Sequence, residues 1–203
     1  MAEFQNRDPA APGFWNERFE QGYTPWDQGG VPPTLHEFVR HATQPLATLI
    51  PGCGNAHEAA LLAQAGWDVT AIDFSAAAVA SARAALGEWG SQVQQADFFS
   101  YVPARPLQLI YERAFFCALP PYRRAGIAAR WAALLPAGAL LAGFFYIDDS
   151  AQASLKGPPF SIGSAELRAL LTPDFELLEQ HAVDGSIAVF EGKEIWQVWR
   201  RRA

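Results

Sequence analysis

Leu46-Ala47-Thr48-Leu49-Ile50-Pro51-Gly52-Cys53-Gly54-Asn55-Ala56-His57 is the stretch that decides the fold. Leu46–Ile50 is a short, largely apolar run closed by Pro-Gly, which reads as a buried strand. Gly52-Cys53-Gly54 then leads into a helix over Ala56–Ala65. In open α/β sheets, ligands bind beyond the carboxyl ends of the strands, and glycines there let the backbone approach a ligand closely. Gly-x-Gly alone is a weak signal and reads more readily as a tight turn between strand and helix. The dinucleotide fingerprint fails, because the residue three beyond Gly54 is His57 and not glycine.

The same alternation continues outward from this stretch. Trp67–Ile72 reads as a second strand ending at Asp73, and Ser75–Leu86 as an Ala-rich helix with Ser75 as its N-cap. Gln92–Gln95, Leu107–Tyr111 and Ala139–Phe145 read as further strands, with a helix at Tyr122–Leu135. A helix at Ser164–Leu171 precedes two late strands, Phe175–His181 and Ile195–Arg200. On the N-terminal side, Thr34–His41 is helical, with Leu35, Phe38 and Val39 on one face. Repeated strand–helix alternation predicts a doubly wound α/β sheet, Rossmann-like and mostly parallel, with helices on both faces. The two late strands with no helix between them predict an antiparallel edge.

Residues 1–32 differ from the rest. They set Phe14, Trp15, Phe19, Tyr23 and Trp26 among proline, glycine and aspartate. That is too aromatic for disorder and too irregular for a long strand. The reading is an arm, with a short helix around Phe14–Glu20, folded over a main body of residues 33–203. Together they make one structural domain, in keeping with 203 residues of which 50% are hydrophobic.

Charge narrows the partners. A formal net charge of −6 without a basic stripe argues against nucleic acid, and Arg200-Arg201-Arg202 reads as a solvated tail. The N-terminus is polar, with no signal-like apolar run, and Leu134–Tyr146 is too short and too interrupted to span a bilayer. Two cysteines, Cys53 and Cys117, make a disulfide framework unlikely; both read as small buried fillers. His57 has no Cys or His partner at metal spacing, so no metal is expected. The expectation is a cytoplasmic monomer or weak dimer acting on a small molecule, with no nucleic-acid or membrane partner.

Two acids sharpen the ligand. Asp73 ends the second strand nineteen positions after Gly54, where dinucleotide folds place a carboxylate on the ribose hydroxyls. Its competing reading is an acid favouring a helix N-terminus. Asp97-Phe98 follows the third strand and could suit an adenine, the acid accepting from its amino group and the ring packing on the base; taken alone, a turn Asp before two core Phe residues explains it better.

Several stretches resemble the thiopurine S-methyltransferase family, including its plant halide and thiol methyltransferase branch. One is Trp15-Asn16-Glu17-Arg18-Phe19 with Gly22, Thr24-Pro25-Trp26-Asp27 and Gly29. Another is Ile50-Pro51-Gly52-Cys53-Gly54 with His57-Glu58, followed by Ala71-Ile72-Asp73-Phe74-Ser75. A third is Asp97-Phe98-Phe99 and then Leu109-Ile110-Tyr111-Glu112-Arg113-Ala114-Phe115-Phe116-Cys117-Ala118-Leu119, with a shorter match at Gly157-Pro158-Pro159-Phe160. The arm and Phe-Phe-Cys-Ala are far more specific than the glycine loop.

The resemblance implies a class I methyltransferase fold, a seven-stranded sheet with the last strand antiparallel. It implies S-adenosyl-L-methionine as methyl donor, S-adenosyl-L-homocysteine as product, and a small soft nucleophile such as a thiol, thiopurine or selenium compound. Cofactor contacts would come from Trp15, Phe19, Trp26, Gly52, Gly54, Asp73, Phe74, Asp97 and Phe98. Arg113 would stand at the transferred methyl group, and Phe14, Phe116 and Phe160 would line the acceptor site with it. Phe19 is often Trp in the halide branch, and Arg113 is Tyr there but Arg in the thiopurine branch. The second departure favours thiols or thiopurines over halides.

The chemistry fits these residue types. Aromatic faces attract a sulfonium cation. Methyl transfer from it is an in-line displacement with a neutral leaving group, so alignment supplies most of the catalysis. A thiol ionises readily enough that no strong base is required. The expected role of Arg113 is electrostatic stabilisation of an anionic acceptor, against the plainer reading of an ion-pairing Arg. The competing functions are a halide, thiocyanate or tellurite-resistance type methyltransferase, an NAD-dependent oxidoreductase, which the missing third glycine argues against, and a SAM-binding module without catalysis.

Overall fold

The computed structural model describes residues 4–150 and 156–203; the first three residues of the arm lie outside them. Seven strands form a sheet in the order β3-β2-β1-β4-β5-β7-β6, with β1 Ala47–Pro51, β2 Asp68–Asp73, β3 Val93–Gln95, β4 Leu109–Arg113, β5 Leu140–Tyr146, β6 Phe175–Ala182 and β7 Glu194–Arg201. The chain divides into two compact units, residues 1–102 and 103–203.

The first unit holds α1 Pro12–Glu20, α2 Pro33–His41, α3 His57–Gln64, α4 Ala76–Leu86 and the strands β1 to β3. β1 pairs in parallel with β2, Ile50 opposite Ala71, and β2 in parallel with β3, Asp73 opposite Gln95. Leu49, Ile50, Val69, Ala71, Ile72 and Val93 are buried on the strands, so these strands are apolar on both faces, as parallel strands covered on two sides must be. Ala78 and Ala82 on α4 are fully buried, and their small side chains allow close packing. Helix α1 packs on α4. Ser75 caps α4 as its position predicts: its Oγ accepts from Ala78 N at 3.1 Å. A turn of 3-10 helix over Gly87–Gln92, which the sequence reading does not anticipate, fills the path to β3.

The second unit holds a 3-10 turn at Pro121–Arg123, α5 Arg124–Leu134, α6 Ser164–Leu171 and the strands β4 to β7. β4 and β5 are parallel; β7 runs antiparallel to both β5 and β6. Its core is aromatic: Phe116 stacks on Trp131 at 5.4 Å between centroids, and Phe145 meets both rings edge-on at 6.3 Å. Gly143 has a steric reason to be glycine. A Cβ there would lie 1.9 Å from the carbonyl oxygen of Glu112 on the paired strand.

Two expectations need correction. β4 runs two residues later than Leu107–Tyr111, because its pairing with β5 sets Leu109 opposite Leu140 and carries the ladder to Arg113 opposite Phe144. Arg200 and Arg201 are not part of a solvated tail; they close β7, and Arg201 donates to the carbonyls of Ala132 and Asp174 at 3.1 Å. Among the described residues no helix is long and apolar enough to cross a membrane.

Candidate functional site

The loop after β1 turns on left-handed residues at alternate positions: Gly52 at φ 57°, Gly54 at 53° and Ala56 at 56°. Glycine adopts this conformation at no steric cost; alanine pays for its Cβ. The loop is tied to β2 from two sides. Cys53 N donates to Ile72 O at 3.1 Å, and Gly54 N donates to Asp73 Oδ2 at 3.1 Å. Asp73 Oδ1 accepts from Ser75 N at 2.9 Å. The carboxyl is buried, and burial raises its pKa to about 6 despite these amide donors. Each carboxylate oxygen has two acceptor positions, so Asp73 retains capacity for a polar ligand.

The arm packs against this loop. Trp15 is buried, and its indole N–H donates to Pro9 O at 2.8 Å. Trp26 meets Trp15 at 5.4 Å and Phe19 at 6.0 Å, both edge-on. Phe19 reaches the glycine loop: its Cζ lies 3.5 Å from where a Cβ on Gly54 would be. Phe14 is buried under the Arg18 guanidinium, 3.2 Å above its ring. Asn16 Oδ1 accepts from Ser75 Oγ at 2.7 Å and Ala77 N at 3.3 Å, joining α1 to the start of α4. Asp27 accepts from Asn55 Nδ2 and stands 3.1 Å from His57 Nε2.

Phe74 is half-buried beside Asp73. Asp97 is exposed and closes its own turn, its Oδ1 accepting from Phe99 N at 2.9 Å; Phe98 beside it is buried. Asn16, Asp27 and Asn55 were not singled out by their chemistry in the sequence. The signal available was local only in part: Asp27 directly follows Trp26 of the arm and Asn55 directly follows the Gly-x-Gly of the loop.

In the second unit, strand register puts Arg113, Phe144, Tyr146, Trp196 and Glu194 on one face of the sheet, with Arg113 opposite Phe144 and Tyr146 opposite Glu194. The Arg113 guanidinium lies 5.6 Å from the Phe144 ring. Glu194 is buried at the start of β7; burial pushes its carboxyl up, while the Arg113 charge acts against that. Glu112 lies on the opposite face and accepts from Phe116 N at 2.9 Å. Its Oε2 has no partner among the described residues, and burial raises its carboxyl to about 8. Phe116 is a core residue, stacked on Trp131. Phe160 is half-buried, and its N–H donates to Cys117 O at 2.7 Å.

Neither cysteine is poised as a nucleophile. Burial and nearby carboxylates push both thiols up, from Asp73 and Glu58 at Cys53 and from Glu112 and Glu194 at Cys117. Among the described residues no group of three or more His, Cys, Asp or Glu is placed to hold a metal.

Comparison with known proteins bears on these features together. The chain is 30% identical over 197 residues to thiocyanate methyltransferase 1 of Arabidopsis thaliana, covering 93% of this chain and 85% of that one. It is 32% identical over 185 residues to a probable thiol methyltransferase 2 of the same plant, covering 87% and 79%. Against a thiopurine S-methyltransferase of Shewanella sp. (strain W3-18-1) the identity is 29% over 186 residues, covering 82% and 84%. Among solved structures, the 1,6-didemethyltoxoflavin N1-methyltransferase of Burkholderia thailandensis, with bound S-adenosylhomocysteine, matches with a TM-score of 0.76 at 15% identity over 100% of this chain and 94% of that one. That likeness establishes the methyltransferase fold. The family model for thiopurine S-methyltransferase matches residues 10–202, and the chain belongs to that family.

Proposed function

We propose that this protein transfers the methyl group of S-adenosylmethionine to a small sulfur nucleophile, a thiol or thiopurine, with selenium compounds in the same class. The methyl donor and the reaction type follow from the family: the chain is an S-adenosylmethionine-dependent methyltransferase, with S-adenosylhomocysteine as product. The observation that carries the reading is the glycine loop clasped by Asp73, with Phe19 lying on Gly54.

The residues present fit that cofactor. Asp73 has acceptor capacity left for ribose hydroxyls, and a Cβ on Gly54 would meet only the Phe19 ring within 4 Å, so the loop backbone is open to close approach. Gly52 and Gly54 are assigned to the methionine part, Asp73 and Phe74 to the ribose, and Asp97 with Phe98 to the adenine. Trp15, Phe19 and Trp26 supply π faces for the sulfonium and exclude water. When bound, the cofactor supplies an electrophilic methyl carbon on a cationic sulfur. Arg113 favours the ionised acceptor by its charge, and Phe14 and Phe160 are assigned to the acceptor site with it. Phe116 supports that site from the core.

A second reading, thiocyanate or halide methylation, is favoured by the first relative named above, whereas Arg113 stands where the halide branch has Tyr and favours the thiol reading. The net charge of −6 supports a small-molecule acceptor rather than nucleic acid, and the same proposal places the enzyme in the cytoplasm as a monomer or weak dimer. A methylation screen over thiols, thiopurines, selenite, thiocyanate, iodide and tellurite selects between these acceptors. Arg113→Ala is expected to raise the acceptor KM or lower kcat by about 10-fold or more, with a much smaller change in S-adenosylmethionine affinity. Unchanged thiol turnover in that variant rules out the role.

A further inference from the structure

The arm touches the glycine loop through more than its rings. Asp27 sits directly after Trp26 and is half-buried. Its Oδ1 accepts from Gly29 N at 2.8 Å, which closes the turn after Trp26, and stands 3.1 Å from His57 Nε2. Its Oδ2 accepts from Asn55 Nδ2 and lies 3.3 Å from the same His57 nitrogen. Asn55 in turn accepts from Ser81 Oγ on α4 at 2.6 Å. One carboxylate therefore joins the arm, the loop after β1 and the first residue of α3, and is backed by α4. Burial works against the charge on Asp27, but Gly29, Asn55 and His57 together outweigh it and hold the carboxyl below its usual range. At the other end of the arm, Asn16 ties α1 to Ser75 and Ala77. Phe19 and Trp26 are thus held between two polar anchors.

The anchor falls where strain is stored. Ala56, between Asn55 and His57, is the one non-glycine residue with positive φ among the described residues of the first unit. A left-handed alanine is strained by its Cβ and persists where its neighbours are fixed. Asn55 and His57 are both fixed by Asp27.

We propose that Asp27 is a positioning residue: through Asn55 and His57 it latches the aromatic arm onto the glycine loop and so sets how tightly the cofactor is held. This rests on the reading that the arm covers the cofactor. Asp27 touches no reacting atom; it acts through Trp26 and Phe19.

The test is calorimetry of S-adenosylhomocysteine binding to the full chain, with limited chymotrypsin digestion at Tyr23 and Trp26 in parallel. Asp27→Ala is expected to weaken binding about tenfold, the loss of one charge-assisted hydrogen bond, and to speed cleavage of the arm. His57→Gln keeps a donor nitrogen and is expected to recover most of the affinity that His57→Ala loses, which a packing role for the ring would not give. Trp26→Ala separates the two readings. If Trp26→Ala weakens binding and Asp27→Ala does not, the latch is overturned while the arm reading stands. If Trp26→Ala also leaves binding unchanged, the arm reading itself fails. Should Asp27→Ala not fold, the His57 pair decides the question by the same measurements: equal losses in Gln and Ala variants overturn the latch.

Discussion

The ends of β2 and β4 carry two buried carboxyls in opposite circumstances. Asp73 uses both oxygens: one accepts from Gly54 N and the other from Ser75 N. Glu112 accepts from Phe116 N with one oxygen, while the other has no partner among the described residues. Burial penalises the charge at both sites, and the amide donors counter it better at Asp73. The result is a carboxyl at about 6 on β2 and at about 8 on β4. At neutral pH the first is mostly an anion and the second mostly an acid. At these two strand ends the carboxyl with more N–H groups aimed at it stays closer to its ordinary range. A second parallel accompanies this one. Left-handed Ala56 lies in the loop after β1, and left-handed Ala114 directly follows Arg113 at φ 59°.

Removing the anion is expected to have the largest effect. Asp73→Ala loses acceptor positions for the ligand and frees the Gly54 amide, so S-adenosylmethionine affinity should fall about 10- to 100-fold by calorimetry. In the wild type the same affinity should fall with acid as pH drops through about 6, where Asp73 takes up its proton. An affinity flat from pH 8 to pH 5 would contradict that assignment.

A smaller effect, on stability, is expected at Glu112. Its pKa is raised in the fold, so its contribution is complete below the unfolded value near 4.5 and is lost as pH rises through about 8. Glu112→Gln keeps an acceptor for Phe116 N without the charge. The stability of this variant relative to the wild type should therefore grow between about pH 4.5 and 8, read as urea midpoints at pH 5 and pH 9. Glu112→Ala instead strands the Phe116 amide and should cost about 1–3 kcal/mol. Parallel pH profiles for Gln and wild type would break the contrast with Asp73.

The smallest effect is expected at the alanines. Ala56→Gly and Ala114→Gly each relieve a left-handed Cβ and lose unfolded-state restriction, so each should change stability by no more than about 1 kcal/mol. A larger loss at Ala56 alone would mean that its methyl group packs in the loop.

Much of this was legible in the chain. Strands buried on both faces are recognisable as short apolar runs, and Ser75 announces its cap because a hydroxyl before an Ala-rich helix has an orphan amide to satisfy. Asp73 was legible because its spacing from Gly54 is set by one strand–helix–strand unit. The two-residue shift of β4 was not, because register depends on β5, which lies distant in sequence. Arg201 misled for the same reason: its partners Ala132 and Asp174 come from other segments.

By itself the sequence determined the alternating elements, the glycine loop with its acid, and the aromatic arm, since each rests on local periodicity and local spacing. Only the tertiary structure decided that Asp27 meets Asn55 and His57, and that Glu112 is a partly satisfied buried acid. It likewise decided that Arg113 shares a face with Phe144 and Glu194. Burial, hydrogen-bond completion and strand register are set by residues far apart along the chain, and no local pattern encodes them.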